Sequence, residues 1–227
     1  MKKLVLYTIL LCVLGFLSSI NAQKLDCGIF IGGNYNFLTQ RSDYEIFNKN
    51  DVKPSFSFSL GGYAKSNYEK INLLGSIEYS RISNKCNQTF TDPSANYITD
   101  AELGITNHYI LISAISTLKI GKGIYIGAGL SCSILIWSSL RVCGGLYKYK
   151  FDGNSFVKGD YIGAVFSNHN YKRVLPSIPV MVGYNINRIN LFARLNVGIV
   201  NRVKDESFVK EFETPLVLGI GYNMAKN

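Results

Sequence analysis

From residue 123 to 134 the even positions are Ile124, Ile126, Ala128, Leu130, Cys132 and Ile134, while the odd ones are Gly123, Tyr125, Gly127, Gly129, Ser131 and Ser133. Side chains on a strand alternate faces with a period of two, so this segment predicts a strand with one apolar face and one small or polar face. The rhythm returns at 189–201, where Ile189, Leu191, Ala193, Leu195, Val197 and Ile199 alternate with Asn190, Phe192, Arg194, Asn196, Gly198 and Val200. It returns again at 216–224, with Leu216, Leu218, Ile220, Tyr222 and Met224 set against Val217, Gly219, Gly221 and Asn223. At 174–186 the apolar set is Val174, Pro176, Ile178, Val180, Val182, Tyr184 and Ile186, and Pro176 and Pro179 demand an imperfect ladder.

Three earlier strands follow the same rule. Their apolar faces are Ile29, Ile31, Tyr35 and Phe37; Phe56, Phe58, Leu60 and Ala64; and Ile71, Leu73, Ile77 and Tyr79. The stretch 108–120 is apolar on both faces, and Ile110, Ile112, Ala114, Leu118 and Ile120 are assigned outward. The total is eight strands. Tight turns near Ser66–Asn67, Gly121–Lys122 and Asn187–Arg188 alternate with long connections over about 39–54, 83–107, 137–171 and 202–214. Short turns at one end and long loops at the other predict an all-β fold: an eight-stranded antiparallel up-and-down transmembrane β-barrel. Its short turns would be periplasmic, with both termini beside them, and its long loops extracellular.

The competing architecture is a soluble barrel or sandwich, whose apolar face points inward and whose outer face carries abundant charge. Here the second face is made of Gly, Ser, Asn and Tyr, and only 17% of residues are Asp, Glu, Lys or Arg. That face suits the filling of a narrow polar lumen better than a water-facing exterior. Phe37, Phe56, Tyr79, Tyr109 and Trp137 fall at strand ends near the long loops, and Tyr68, Tyr184 and Tyr222 near the opposite rim. Two such belts of amphipathic rings are expected at the two membrane interfaces. An inward set containing Tyr63, Glu78, Tyr125, Phe192 and Arg194 predicts a plugged lumen, since eight strands enclose space only for side chains.

The first 22 residues read as a cleavable secretory signal: Lys2 and Lys3, an apolar run from Leu4 to Leu17, then Ser18, Ser19, Ile20, Asn21 and Ala22. That run is shorter than the roughly 20 residues a spanning helix needs. The expected division is a signal peptide at 1–22 and one barrel domain at 23–227, exported to the bacterial outer membrane. Loss of Lys2 and Lys3 lowers the formal charge of +9 by two. The remaining excess suits an anionic surface, and export argues against nucleic acid.

The segments Phe56-Ser57-Phe58-Ser59-Leu60-Gly61-Gly62-Tyr63, Ser76-Ile77-Glu78-Tyr79-Ser80-Arg81, Tyr109-Ile110-Leu111-Ile112 and Ile124-Tyr125-Ile126-Gly127-Ala128-Gly129 carry a resemblance. In their order and spacing the chain resembles the PorT-like outer-membrane β-barrel proteins across most of the mature sequence. The resemblance implies the same barrel in the same membrane. One founding member of that family is associated with a protein-secretion system, but most relatives have no assigned activity, and the secretion role is not carried over.

Candidate chemistry is sparse. His108 and His169 are the only histidines, and although Asp152, Asp160, Asp205, Glu206 and several serines lie in the long connections, no spacing unites a catalytic set. The glycine clusters lack a following helix or a Gly-Lys-Ser/Thr, so no dinucleotide or phosphate loop is present. The scattered Cys27, Cys86, Cys132 and Cys143 form no zinc pattern. No cofactor or metal is expected. Export leaves a Cys86–Cys143 disulfide open.

Glu78 and Arg194 both fall on inward positions and are expected to form an interior ion pair. Tyr147, Lys148, Tyr149, Lys150, Phe151, Lys158 and Tyr161 give the third connection a basic, aromatic character that marks a candidate binding surface. Expected partners are outer-membrane lipid, including lipopolysaccharide phosphates, and an extracellular or envelope protein. The expected function is thus non-enzymatic, structural or partner-binding. The alternative is a barrel enzyme, of lipid- or peptide-hydrolase type, working at the outer rim.

Overall fold

A computed structural model describes residues 25–42, 51–66, 70–92, 97–149, 156–167, 171–202 and 209–224. Residues 1–22, expected to be a signal, lie outside the described residues. Ten strand segments are present: β1 (Leu25–Ser42), β2 (Asp51–Pro54), β3 (Ser57–Ser66), β4 (Ile71–Asp92), β5 (Tyr97–Lys119), β6 (Ile124–Tyr149), β7 (Phe156–Ser167), β8 (Val174–Ile186), β9 (Ile189–Gly198) and β10 (Val209–Asn223). Going round the wall the order is β1, β3, β4, β5, β6, β8, β9 and β10, and β10 pairs back with β1 to close the barrel. Every pairing is antiparallel. β2 and β7 add no wall positions: β2 pairs with β4 beyond the end of β3, and β7 pairs with β6 beyond the end of β8.

The alternation sets which face is which. Ile29, Ile31, Leu60, Ile77, Ile126, Val180, Leu218 and Ile220 stand on the outside and are exposed, while Asn34, Ser59, Ser76, Glu78, Tyr125, Asn190 and Arg194 point inward and are buried. On β5 the outward set is the even one: Tyr109, Leu111, Ser113, Ile115 and Thr117 are buried inside. This strand is apolar on both faces because its lumen side also fills space. Tyr109, assigned above to the outer aromatic belt, is the exception that its own register forbids. It is an odd position, so it enters the lumen and is only 2% exposed.

Turn chemistry matches geometry at the short-turn end. Ile186 pairs with Ile189, leaving a two-residue turn whose first residue, Asn187, has φ 54°, a left-handed conformation that Asn tolerates. Gly123 closes the 120–123 turn at φ 87°. The two prolines leave their mark: the β6–β8 ladder is interrupted between Val180 and Ser177, around Pro179, which lacks an N–H to donate.

At the loop end the strands reach further than the alternation predicts. The β4–β5 ladder continues to Asp92↔Tyr97, β5–β6 to Tyr97↔Lys148, and β6–β7 to Tyr149↔Phe156. The connections expected at 83–107 and 137–171 are therefore mostly hairpin, and β4, β5, β6 and β7 form a four-stranded sheet projecting from one side of the barrel. Beyond the apolar belt both faces of a strand are polar, so the period-two signal fades while the hydrogen-bond ladder goes on.

The same registers overturn the disulfide. Cys86 pairs with Leu103, and Leu103 pairs with Val142, so β5 lies between Cys86 and Cys143. Two strand spacings are about 9.6 Å, beyond the roughly 7 Å that a disulfide can span. In the folded protein, Cys86 and Cys143 are expected to react independently with a thiol label. A peptide map under non-reducing conditions should show no Cys86–Cys143 cross-link.

Candidate functional site

The lumen is built in layers. Nearest the short turns, Phe30, Tyr63, Leu74, Ile115, Tyr125 and Met181 form one cluster, with Phe192 packed against it. The rings fit because the facing positions are glycine. A Cβ on Gly183 would come within 2.2 Å of the Tyr125 ring, and one on Gly219 within 2.3 Å of the Phe192 ring. The phenols are tied to inward amides: Tyr125 donates to Asn190 Oδ1 at 2.7 Å, and Tyr63 donates to Asn223 Oδ1.

Above this plug, Arg194 Nη2 donates to both carboxylate oxygens of Glu78, at 2.6 and 2.7 Å. Glu78 is on β4 and Arg194 on β9, four wall positions apart in a ring of eight, so the pair crosses the full width of the lumen. Small hydrogen-bonding groups fill the remaining space. Asn34 donates to Ser59 and Ser80 at 2.8 Å each, and Ser76–Ser113 and Ser131–Ser177 hydroxyl pairs lie at 2.6 Å.

A second polar layer lies toward the long connections. Glu213 accepts from the Tyr109 hydroxyl at 2.7 Å and from Asn36 Nδ2 at 3.2 Å, and pairs with Arg202 at 3.5 Å. Tyr109 on β5 and Glu213 on β10 are again four wall positions apart, making a second cross-lumen tie. Arg202, beyond the end of β9, is wholly buried; its guanidinium lies 4.4 Å from the centre of the Tyr171 ring and also donates to the Tyr171 hydroxyl. This cluster was not foreseen. Glu213 shares the odd, inward parity of Val217, which could have flagged it, but Arg202 follows the last strand residue and obeys no alternation.

The outer face near the loop end carries a different constellation. Phe58 pairs with Arg81, Arg81 with His108, and His108 with Trp137, a single row across four strands. A bulge brings Trp137 there: His108↔Trp137 is followed by Tyr109↔Leu135, so Ile136 is the extra residue and both Ile136 and Trp137 are exposed outside. His108 sits between Tyr79 and Trp137, with ring centroids 5.9 and 4.9 Å away, and its Nδ1 is hydrogen-bonded to the Tyr79 hydroxyl.

This histidine therefore faces away from the lumen, and its hydrogen-bond partner is the Tyr79 phenol. His169 lies outside the described residues. Among the described residues no group of three or more His, Cys, Asp or Glu is placed to hold a metal ion. The two lumen carboxylates are engaged, Glu78 with Arg194 and Glu213 with Tyr109, Asn36 and Arg202. The arrangement braces a closed tube.

Of the third-connection residues, Tyr147, Lys148 and Tyr149 lie on β6 and Lys158 and Tyr161 on β7, with Tyr147 opposite Lys158 and Gly145 opposite Tyr161. Their backbones are thus gathered on the outer half of one hairpin. Lys150 and Phe151 lie outside the described residues.

No family model matches the chain, and no curated protein does. Among solved structures it is similar to the attachment invasion locus protein Ail of Yersinia pestis, solved with the heparin analogue sucrose octasulfate, at 12% identity, over 88% of this chain and 99% of that one, with TM-score 0.42. It is also similar to Neisserial surface protein A, at 14% identity over 86% and 97% of the two chains, with TM-score 0.41. The outer membrane protease OmpT of Escherichia coli is matched at 10% identity over 88% and 96%, with TM-score 0.29.

Proposed function

We propose that this chain is a non-enzymatic outer-membrane β-barrel protein of the bacterial envelope, whose closed body sits in lipid and whose projecting strands hold an extracellular or envelope protein partner. The observation that carries this reading is the inverted distribution of side chains. Isoleucines, leucines or valines from all eight wall positions stand exposed on the outside, while Glu78, Arg194, Arg202, Glu213 and the buried asparagines and serines are inside. In water that arrangement leaves the apolar surface without its main source of stabilisation; in hydrocarbon it is the favourable one.

Dimensions support the same medium. From Ile29 to Phe37 the belt on β1 runs eight residue steps, which at about 3.4 Å each and a tilt near 40° gives a height of about 21 Å. A bacterial outer-membrane barrel carries a belt of about 25 Å. The exposed charges Lys70, Lys122 and Arg188 stand beyond the belt at the turn end, and Lys53 and Lys85 beyond it at the loop end.

In this reading residues 1–22 are a signal removed on export, no cofactor is bound, and nucleic acid is not a partner. Lipid, including lipopolysaccharide, surrounds the belt. The β6–β7 hairpin, whose backbone carries Tyr147, Lys148, Tyr149, Lys158 and Tyr161, is the part that meets the partner. The mature protein is expected to begin near Gln23 and to fractionate with the outer membrane; N-terminal sequencing that returned Met1, or recovery in the soluble periplasm, would count against it. Shortening the β6–β7 hairpin between Cys143 and Gly163, which pair across it, is expected to abolish partner capture in a pull-down while the barrel still folds. Capture at the intact level would remove the binding role from this hairpin.

A further inference from the structure

We propose that the outer face around Arg81 is a docking site for the headgroup phosphate of an anionic lipid in the surrounding leaflet. The inference rests on the outer-membrane reading and adds a ligand to it. Arg81 occupies an outward position at the upper limit of the apolar belt, two residues beyond Tyr79, between Phe58 and His108 in the same row. Among the described residues Arg81 forms no hydrogen bond or ion pair, and neither does Lys53. Two steps further along the same face, about 14 Å along the strand from Arg81, Lys53 stands directly opposite Lys85, a pairing of like charges that costs stability unless an anion lies nearby. Lys85 keeps a contact of its own within the protein, and Lys53 stands a further two steps along the strand, so the site is counted on Arg81 alone. The carboxylates nearest by register, Asp51 and Glu102, fall one further step outward, each opposite Asn87.

The aromatic neighbours complete a headgroup site. The Tyr79 hydroxyl is hydrogen-bonded to His108 Nδ1, and in the tautomer whose Nδ1 accepts from the phenol the ring proton sits on Nε2, on the far side of the imidazole, where it can donate to a phosphate oxygen. Trp137, 54% exposed, adds an indole N–H beside it. A guanidinium matches phosphate through paired N–H donors, and aromatic rings of this kind settle at headgroup depth. A planar cation with two neutral donors beside it, just above hydrocarbon, fits a lipid phosphate whose acyl chains lie along Ile77, Ile110 and Ile112 below.

Trp137 is the only tryptophan of the chain, so intrinsic fluorescence reports on this face alone. The full mature protein would be folded into phosphatidylcholine nanodiscs and titrated with acyl-brominated phosphatidic acid or, separately, acyl-brominated phosphatidylcholine. Wild type is expected to favour the brominated phosphatidic acid by about fivefold, the equivalent of about 1 kcal/mol per basic residue near the surface. Arg81→Gln, which removes no protein contact, should bring the two lipids to equality, whereas Lys122→Gln at the turn end should leave the preference intact. Equal quenching by both lipids in wild type, or an undiminished preference in Arg81→Gln, overturns the site while leaving the membrane reading standing. Absence of quenching by either lipid overturns both. Loss of the preference in millimolar inorganic phosphate would assign the site to free phosphate and overturn the lipid as its ligand.

Discussion

Arg194→Leu alone is expected to lower the unfolding free energy of the barrel by about 3–5 kcal/mol, the usual cost of leaving a buried charge without its partner. Glu78 and Arg194 are each 2% exposed, and their groups meet at 2.6 Å across the centre of the lumen. The substitution strands a carboxylate that the neighbouring Ser and Asn side chains, already bonded to one another, cannot neutralise. The double variant Glu78→Leu with Arg194→Leu should recover most of that loss, because removing both charges also removes the need to desolvate them. Urea titration of the micelle-folded protein, followed through the single tryptophan, gives the four corners of a double-mutant cycle. A single variant that unfolds at the wild-type midpoint would show that the pair does not brace the barrel.

The parity of nearly every wall strand was legible in the sequence because the exterior and the lumen of the barrel carry opposite chemistry on adjacent residues. Ile189, Leu191 and Val197 against Asn190, Arg194 and Asn196 is such a case, and it placed Glu78 and Arg194 on inward positions of strands that turn out to face each other. Legibility failed where that contrast disappears. From Ser83 to Asp92 the residues of β4 show no apolar/polar alternation, so that part of the strand read as a loop although its ladder to β5 continues. At Ile136 one inserted residue brings two consecutive side chains outward, and only the partner strand shows where the bulge falls. Tyr109 was misplaced by its position along the strand although the face of the strand decided the matter. Arg202 reaches the lumen from a connection, so no periodicity could announce it.

These interior groups explain why function is assigned to the projecting strands and the outer face. Two cross-lumen ties, Glu78–Arg194 between β4 and β9 and Tyr109–Glu213 between β5 and β10, link opposite walls at two heights. A solute entering from the loop end would have to displace Arg202 from Tyr171 and Glu213 before reaching the first of them, then cross the ion pair and the aromatic plug. Each of those groups is desolvated, so separating them costs far more than separating surface partners.

The purified monomer is therefore expected to show no steady conductance in planar bilayers, and Tyr125→Ala should not create any. Tyr125 is 2% exposed, lies against Gly183 and donates to Asn190. Its truncation leaves a cavity and an unpaired amide oxygen, at a cost of about 3–5 kcal/mol, as for other large buried rings. The cavity would still end at the Glu78–Arg194 tie, so the variant should unfold at much lower urea yet remain silent in the bilayer. Stable channels from the wild-type monomer would refute the closed lumen and with it the assignment of function to the exterior. Channels from Tyr125→Ala alone would place the whole barrier in the aromatic plug and leave the polar layers as bracing without a sealing role.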